Sequence, residues 1–129
     1  MNERRKIVIS CLLAFVMLAV ITLPAFTQVT IRNFGGTSWT FTDDEGDTLI
    51  IRFSANGRQF TLFLNGARIF DGSVQVEDQI FALVILNTIV MAGRFVDNTM
   101  HMFTPDESDG QLYMGPGERP NFIFTQVLQ

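Results

Sequence analysis

Few side chains in this sequence have the types and spacing that chemistry requires. His101 is the single histidine. A general base needs an orienting partner and a nucleophile or substrate proton within reach. A hairpin turning at Asp97-Asn98 would set His101 opposite Arg94, on the face away from Phe95 and Met100, where a cation beside an outer-face imidazole suits a surface role. Two acidic groups, Asp43, Asp44, Glu45 with Asp47 and Asp106, Glu107 with Asp109, are the only oxygen-rich clusters. Calcium takes about 6–8 oxygens from a shaped loop, and neither spacing follows that pattern. Both groups read as solvated turns, and no metal site is assigned. Cys11 is the single cysteine, so the chain beyond it has no thiol and no disulfide. Gly-x-Ser-x-Gly, His-Glu-x-x-His and phosphate-loop patterns are absent. The expectation is a protein that is not an enzyme and carries no cofactor.

What the sequence has in quantity is soft apolar surface. Trp39, Phe41, Phe53, Phe60, Phe95, Met100, Met102, Phe122 and Phe124 recur at strand spacing. They could line a site for a small apolar ligand, or they could fill a core.

The elements that must position them are strands. Short apolar–polar alternations separated by turn residues mark residues 28–129 as all-β. In Thr37-Ser38-Trp39-Thr40-Phe41-Thr42-Asp43, Trp39 and Phe41 share one face. Asp44-Glu45-Gly46 turns the chain into residues 48–54, where Leu49, Ile51 and Phe53 share a face. A type I′ turn at Asn56-Gly57 sets Phe53 opposite Phe60, Ile51 opposite Leu62 and Leu49 opposite Leu64, all apolar; a slip of one residue destroys the match. Asn65-Gly66 repeats the device and sets Leu64 opposite Ala67 and Leu62 opposite Ile69. A bulge at Asp71-Gly72 would reconcile Ile69 with Val74. Turns at Glu77-Asp78 and Asp97-Asn98 follow. The run from Ile80 to Met91 is apolar on both faces, but its β-branched content favours two strands joined at Asn87-Thr88 over a buried helix. Residues 111–114 and 121–128 complete an antiparallel up-and-down meander of about 8–10 strands, enough to close a small barrel.

Residues 1–27 have the parts of a secretory signal: Arg4, Arg5 and Lys6, an uncharged apolar run over 7–23, then Pro24 and the small residues Ala25 and Thr27. The run exceeds the roughly 7–15 residues of an ordinary signal core, so an uncleaved membrane anchor is the alternative. Either version exports the rest of the chain to an extracytoplasmic place: periplasm, cell envelope or medium. The residues Val8-Ile9-Ser10-Cys11 resemble a lipidation site but stand too early in the run. Beyond residue 27, six arginines and no lysine face twelve carboxylates. So acidic a domain is not expected to bind nucleic acid.

Gly36-Thr37-Ser38-Trp39, Phe53 with Asn56-Gly57 and Phe60, Gly72, and Gly93-Arg94-Phe95-Val96-Asp97-Asn98-Thr99-Met100 together resemble small bacterial lipocalin-like (calycin-type) barrel domains. The resemblance spans most of residues 35–127. It implies an up-and-down barrel that holds a small apolar molecule. The residues themselves leave two readings open: a ligand-binding barrel, or a structural module that meets an envelope protein or a second copy through an exposed apolar face at residues 80–91.

Overall fold

The chain's structure, a computed structural model, describes residues 29–128; the segment read as a signal peptide or anchor lies outside the described residues. Eight strands follow in order: β1 (Ser38–Thr42), β2 (Thr48–Phe53), β3 (Gln59–Leu64), β4 (Ala67–Glu77), β5 (Ile80–Ile85), β6 (Thr88–Val96), β7 (Thr99–Phe103) and β8 (Phe122–Gln126). Each pairs antiparallel with the next, and β1 pairs with β8, so the sheet closes into a barrel. The all-β meander and its closure are as the alternation pattern anticipates.

The register follows the apolar pairs. Leu49 faces Leu64, Ile51 faces Leu62 and Phe53 faces Phe60 across β2 and β3. Arg94 faces His101, Phe95 faces Met100 and Gly93 faces Met102 across β6 and β7. Trp39 and Phe41 of β1 sit opposite Ile51 and Leu49. Inward side chains of neighbouring strands therefore meet in level rows, the arrangement that lets a small barrel fill its interior.

Five expectations are corrected. The β3–β4 register shift comes earlier than Asp71-Gly72: Phe63 faces Arg68 and Leu62 faces Phe70, leaving Ile69 as the extra residue. This brings Gly72 inward opposite Phe60, where an added Cβ would lie 2.6 Å from the Phe60 ring and 2.2 Å from the Val84 carbonyl oxygen. Only glycine fits there, so the extra residue must be absorbed before it. At Asn56-Gly57 the register is as expected but the turn is not type I′, since only Gly57 has positive φ (70°). The Gly57 N–H instead bonds the Ser54 carbonyl at 2.9 Å. The turn within residues 80–91 is Leu86-Asn87, one residue earlier than expected, with Ile85 facing Thr88. The turn after β4 is Asp78-Gln79, since Glu77 faces Ile80. Finally, residues 111–114 form no strand. The Gln111 N–H is taken by Asp109 Oδ1 and its carbonyl accepts from the Asp106 N–H, both at 2.8 Å, so a turn satisfies the backbone that a ladder would otherwise need.

The two barrel ends are built differently. Turns after β2, β4 and β6 mark one end, which is crossed by the strap of residues 29–37. Turns after β1, β3 and β5 mark the other, where the connection 104–121 also departs. That connection folds back on the outer wall: Arg94 Nη1 donates to the Met114 carbonyl at 3.4 Å and its guanidinium lies 5.3 Å from the Phe103 ring centroid. Phe103, Ala92 and Val84 are buried on the outside of β5–β7.

Candidate functional site

All nine aromatic and methionine residues singled out by pattern point into the barrel. Trp39, Phe53, Phe60, Met100, Met102 and Phe124 are buried, and Phe41, Phe95 and Phe122 pack against them half-buried. They converge, and they also touch. Trp39 and Phe95 ring centroids are 5.3 Å apart, Phe41 lies 5.1 Å from Phe122 and 5.7 Å from Phe124, and Phe122 and Phe124 are 6.4 Å apart. These are the spacings of packed aromatic pairs.

Two further rings that the alternation left unmarked also enter the interior. Phe81 of β5 stacks on Phe95 at 5.1 Å and meets Phe53 edge-on at 5.5 Å. Phe34, on the strap, enters from the end and reaches Phe53 at 4.8 Å, Phe95 at 5.6 Å and Phe81 at 5.8 Å. It is only 4% exposed. The signal for Phe81 was its alternation with Leu83 inside an ambiguous run. Phe34 has no periodic signal, because it is a plug and belongs to no strand.

The interior also lacks free polar groups. The Trp39 indole N–H donates to Thr37 Oγ1 at 2.8 Å, and the Thr37 hydroxyl donates to the Phe34 carbonyl at 2.5 Å. Among the described residues no buried side chain is polar and no buried side-chain nitrogen or oxygen lacks a partner. A site that orients a ligand ordinarily offers a few convergent polar groups. Three clefts of about 520, 340 and 170 Å³ lie at the surface, and none of the nine residues lines any of them.

The apolar run 80–91 is mostly covered. Phe81, Leu83 and Val84 are buried, and exposure concentrates at the hairpin tip. β4 pairs with β5 only from Ser73 onward, and β7 pairs with β6 only from Ala92 onward. Residues 85–91 therefore stand beyond both neighbours as a tongue. At its apex Leu86 is 94% exposed with φ of 50°. Ile89 is exposed on the same tongue, and Leu64, Ile69 and Phe70 (51%) are exposed on the adjacent β3–β4 hairpin at the same end. Phe70 thus faces the barrel mouth, opposite Leu62.

The candidate chemistry groups sit on the outside. His101 is half-buried on the outer wall between Arg94 and Ile123. Asp43, Glu45 and Asp47 bring carboxylate oxygens within 4.8 Å of one another, all exposed. Asp43 Oδ1 accepts from the N–H groups of Glu45 (2.9 Å) and Asp47 (2.8 Å), and Asp47 accepts from Asn65 Nδ2 at 2.9 Å. Those bonds build the turn. In the 104–121 connection Asp106 accepts from the Ser108 hydroxyl and N–H, which holds its carboxyl below the usual carboxylate range. The Tyr113 hydroxyl donates to Asp109, whose negative charge pushes the phenol upward.

The closed eight-stranded barrel is compatible with a lipocalin-like architecture, and no family model, curated protein or solved structure matches the chain.

Proposed function

We propose that this chain is an exported, non-enzymatic binding module that meets an envelope protein through the 85–91 tongue and the neighbouring β3–β4 tip. One observation carries this reading: a leucine occupies the left-handed apex of a hairpin and gives its whole side chain to solvent. A side chain with a Cβ costs about 1–2 kcal/mol in that backbone region, and Asn or Gly is the residue that a type I′ apex wants. Leu86 stabilises neither the turn nor the core, which fits an apolar side chain whose socket lies on another molecule. Ile89, Leu64, Ile69 and Phe70 enlarge the surface around it, and clustered exposed apolar groups of this kind mark association sites.

Asp43, Asp44, Glu45 and Asp47 stand at the same end. The expected partner therefore presents an apolar socket bordered by basic residues. A second copy of this acidic chain would bring like charges together and is the less favoured occupant. The signal-like residues 1–27 support an extracytoplasmic setting. A small apolar ligand inside the barrel, the function that the lipocalin-like resemblance implies, has less support, since aromatic rings occupy the space and the Trp39 N–H is already bonded.

The test separates binding from folding. A photo-crosslinking residue at Ile89 should form one discrete adduct with another envelope protein in cells. Leu86→Asn should abolish that adduct while raising the thermal midpoint, by about 4–8 °C for each kcal/mol of strain relieved in a domain of this size. An adduct unchanged by Leu86→Asn would refute the reading, as would one made only between copies of this chain.

A further inference from the structure

We infer that the cleft at the strapped end of the barrel is a binding site for a single-chain amphiphile with an anionic head, of the fatty-acid carboxylate type. The inference is independent of the tongue, which lies at the opposite end. The cleft has a volume of about 520 Å³ and is bounded by the strap (Ile31, Arg32, Phe34), the β2–β3 turn (Ala55, Gly57, Arg58) and the inner lip of β4 (Val74, Val76). That volume is in the range of small-molecule sites, roughly 300–1,000 Å³.

Charge selects the head group. The described part of the chain is strongly acidic, yet this cleft is lined by two arginines and no carboxylate. The 340 Å³ cleft on the 104–121 connection is the reverse, with Asp106, Glu107 and Glu118 around Arg119. Three of the other arginines have tasks in the fold. Arg68 pairs with Asp71, Arg52 lies 4.9 Å from the Phe63 ring, and Arg94 covers Phe103. Arg32 and Arg58 form no ion pair among the described residues. They come from two separate elements and border one space. Guanidinium groups are suited to planar carboxylates, which they bind through paired N–H donors.

Apolar residues select the tail. Val76 is half exposed although its strand position, opposite the fully buried Phe81, directs it inward. Ile31 and Val74 are only partly covered at the same place. An inward valine left bare beside two guanidiniums is the arrangement that an alkyl chain with a charged end would complete.

The test uses the chain expressed with its own N-terminal segment, in the processed form the cell yields. If the segment is retained, the protein is held in phosphatidylcholine nanodiscs. Amide shifts are followed while dodecanoate (below its micelle concentration), dodecyl maltoside, acetate or vesicles containing phosphatidylglycerol are added. Dodecanoate should shift the amides of Gly35, Gly57, Arg58 and Val76, with acetate and dodecyl maltoside at least tenfold weaker. Arg32→Gln with Arg58→Gln should weaken dodecanoate tenfold or more and leave the thermal midpoint unchanged. Equal binding of dodecyl maltoside would overturn the charge argument. Equal binding of acetate would overturn the apolar one. Response to the vesicles alone would make the site a membrane contact and overturn the proposal, as would a silent cleft under all four probes.

Discussion

The two ends of this barrel are made from the same eight strands and finish in opposite ways. At the strapped end Phe34 is driven among Phe53, Phe81 and Phe95, so the aromatic interior is sealed by the chain itself. At the other end, among the described residues, Leu64, Phe70, Leu86 and Ile89 remain in solvent. Apolar residues at the first end stabilise the fold; those at the second contribute little to it. A barrel needs its lid at only one end if its central rows are filled.

That contrast can be broken most directly by truncating one ring from each end. Phe34→Ala should cost about 3–5 kcal/mol, the usual loss for a buried phenylalanine. Phe70→Ala should stay within about 1 kcal/mol. Urea unfolding followed by the emission of Trp39, the one tryptophan, reads both. Equal losses would mean that the open mouth is as much a part of the core as the strap.

A smaller and more pointed comparison uses two of the left-handed turn positions. Gly57 has φ of 70° and a Cβ there would sit 3.2 Å from the Phe34 ring; Gly57→Ala should lose about 1–2 kcal/mol. Leu86 has φ of 50°, and Leu86→Gly should be neutral or stabilising, because removal of its Cβ strain offsets the added chain entropy. If Leu86→Gly instead destabilises the domain, the leucine has an intramolecular partner and the tongue is not a free recognition element.

The smallest effect is expected on the outer wall, where the connection from the open end folds back. Tyr113 is the single tyrosine, so its ionisation can be read from tyrosinate absorbance alone. Its hydrogen bond to Asp109 raises the folded-state value above the ordinary one. The bond is therefore fully present below the ordinary phenol range and is lost only as pH climbs through the raised value. Asp109→Asn should return the titration toward the ordinary position near 10 with no change in the urea midpoint. Asp106 behaves in the opposite sense: its lowered value keeps its bonds to Ser108 in place at neutral pH and through the ordinary carboxylate range, and they fail only as pH falls below it.

Much of this was legible in the sequence where one face is buried. The pairs Phe53–Phe60, Ile51–Leu62 and Phe95–Met100 were readable because period-two alternation and a short turn leave one acceptable register. The nine interior residues were readable for the same reason. Phe34 was not, since a plug has no period. The bulge at Ile69 was misplaced because its cause is the approach of Val84 and Phe60 to Gly72, a contact between strands that alternation cannot report. Leu86 was hidden by its composition: a leucine within an apolar run reads as core, and only its backbone angle and exposure mark it as something else.

The closure of the sheet has a consequence for how the molecule comes into being. The seam joins the first strand to the last, through Trp39 opposite Gln126 and Thr40 opposite Thr125. A polypeptide emerging N-terminus first, whether from a ribosome or through a membrane, can form every hairpin from β1 to β7 before β8 arrives. Until then β1 offers a raw edge, and Trp39 and Phe41 wait without the Phe124 row beside them. β8 thus serves as the latch, and the barrel becomes a finished object only once that strand has arrived.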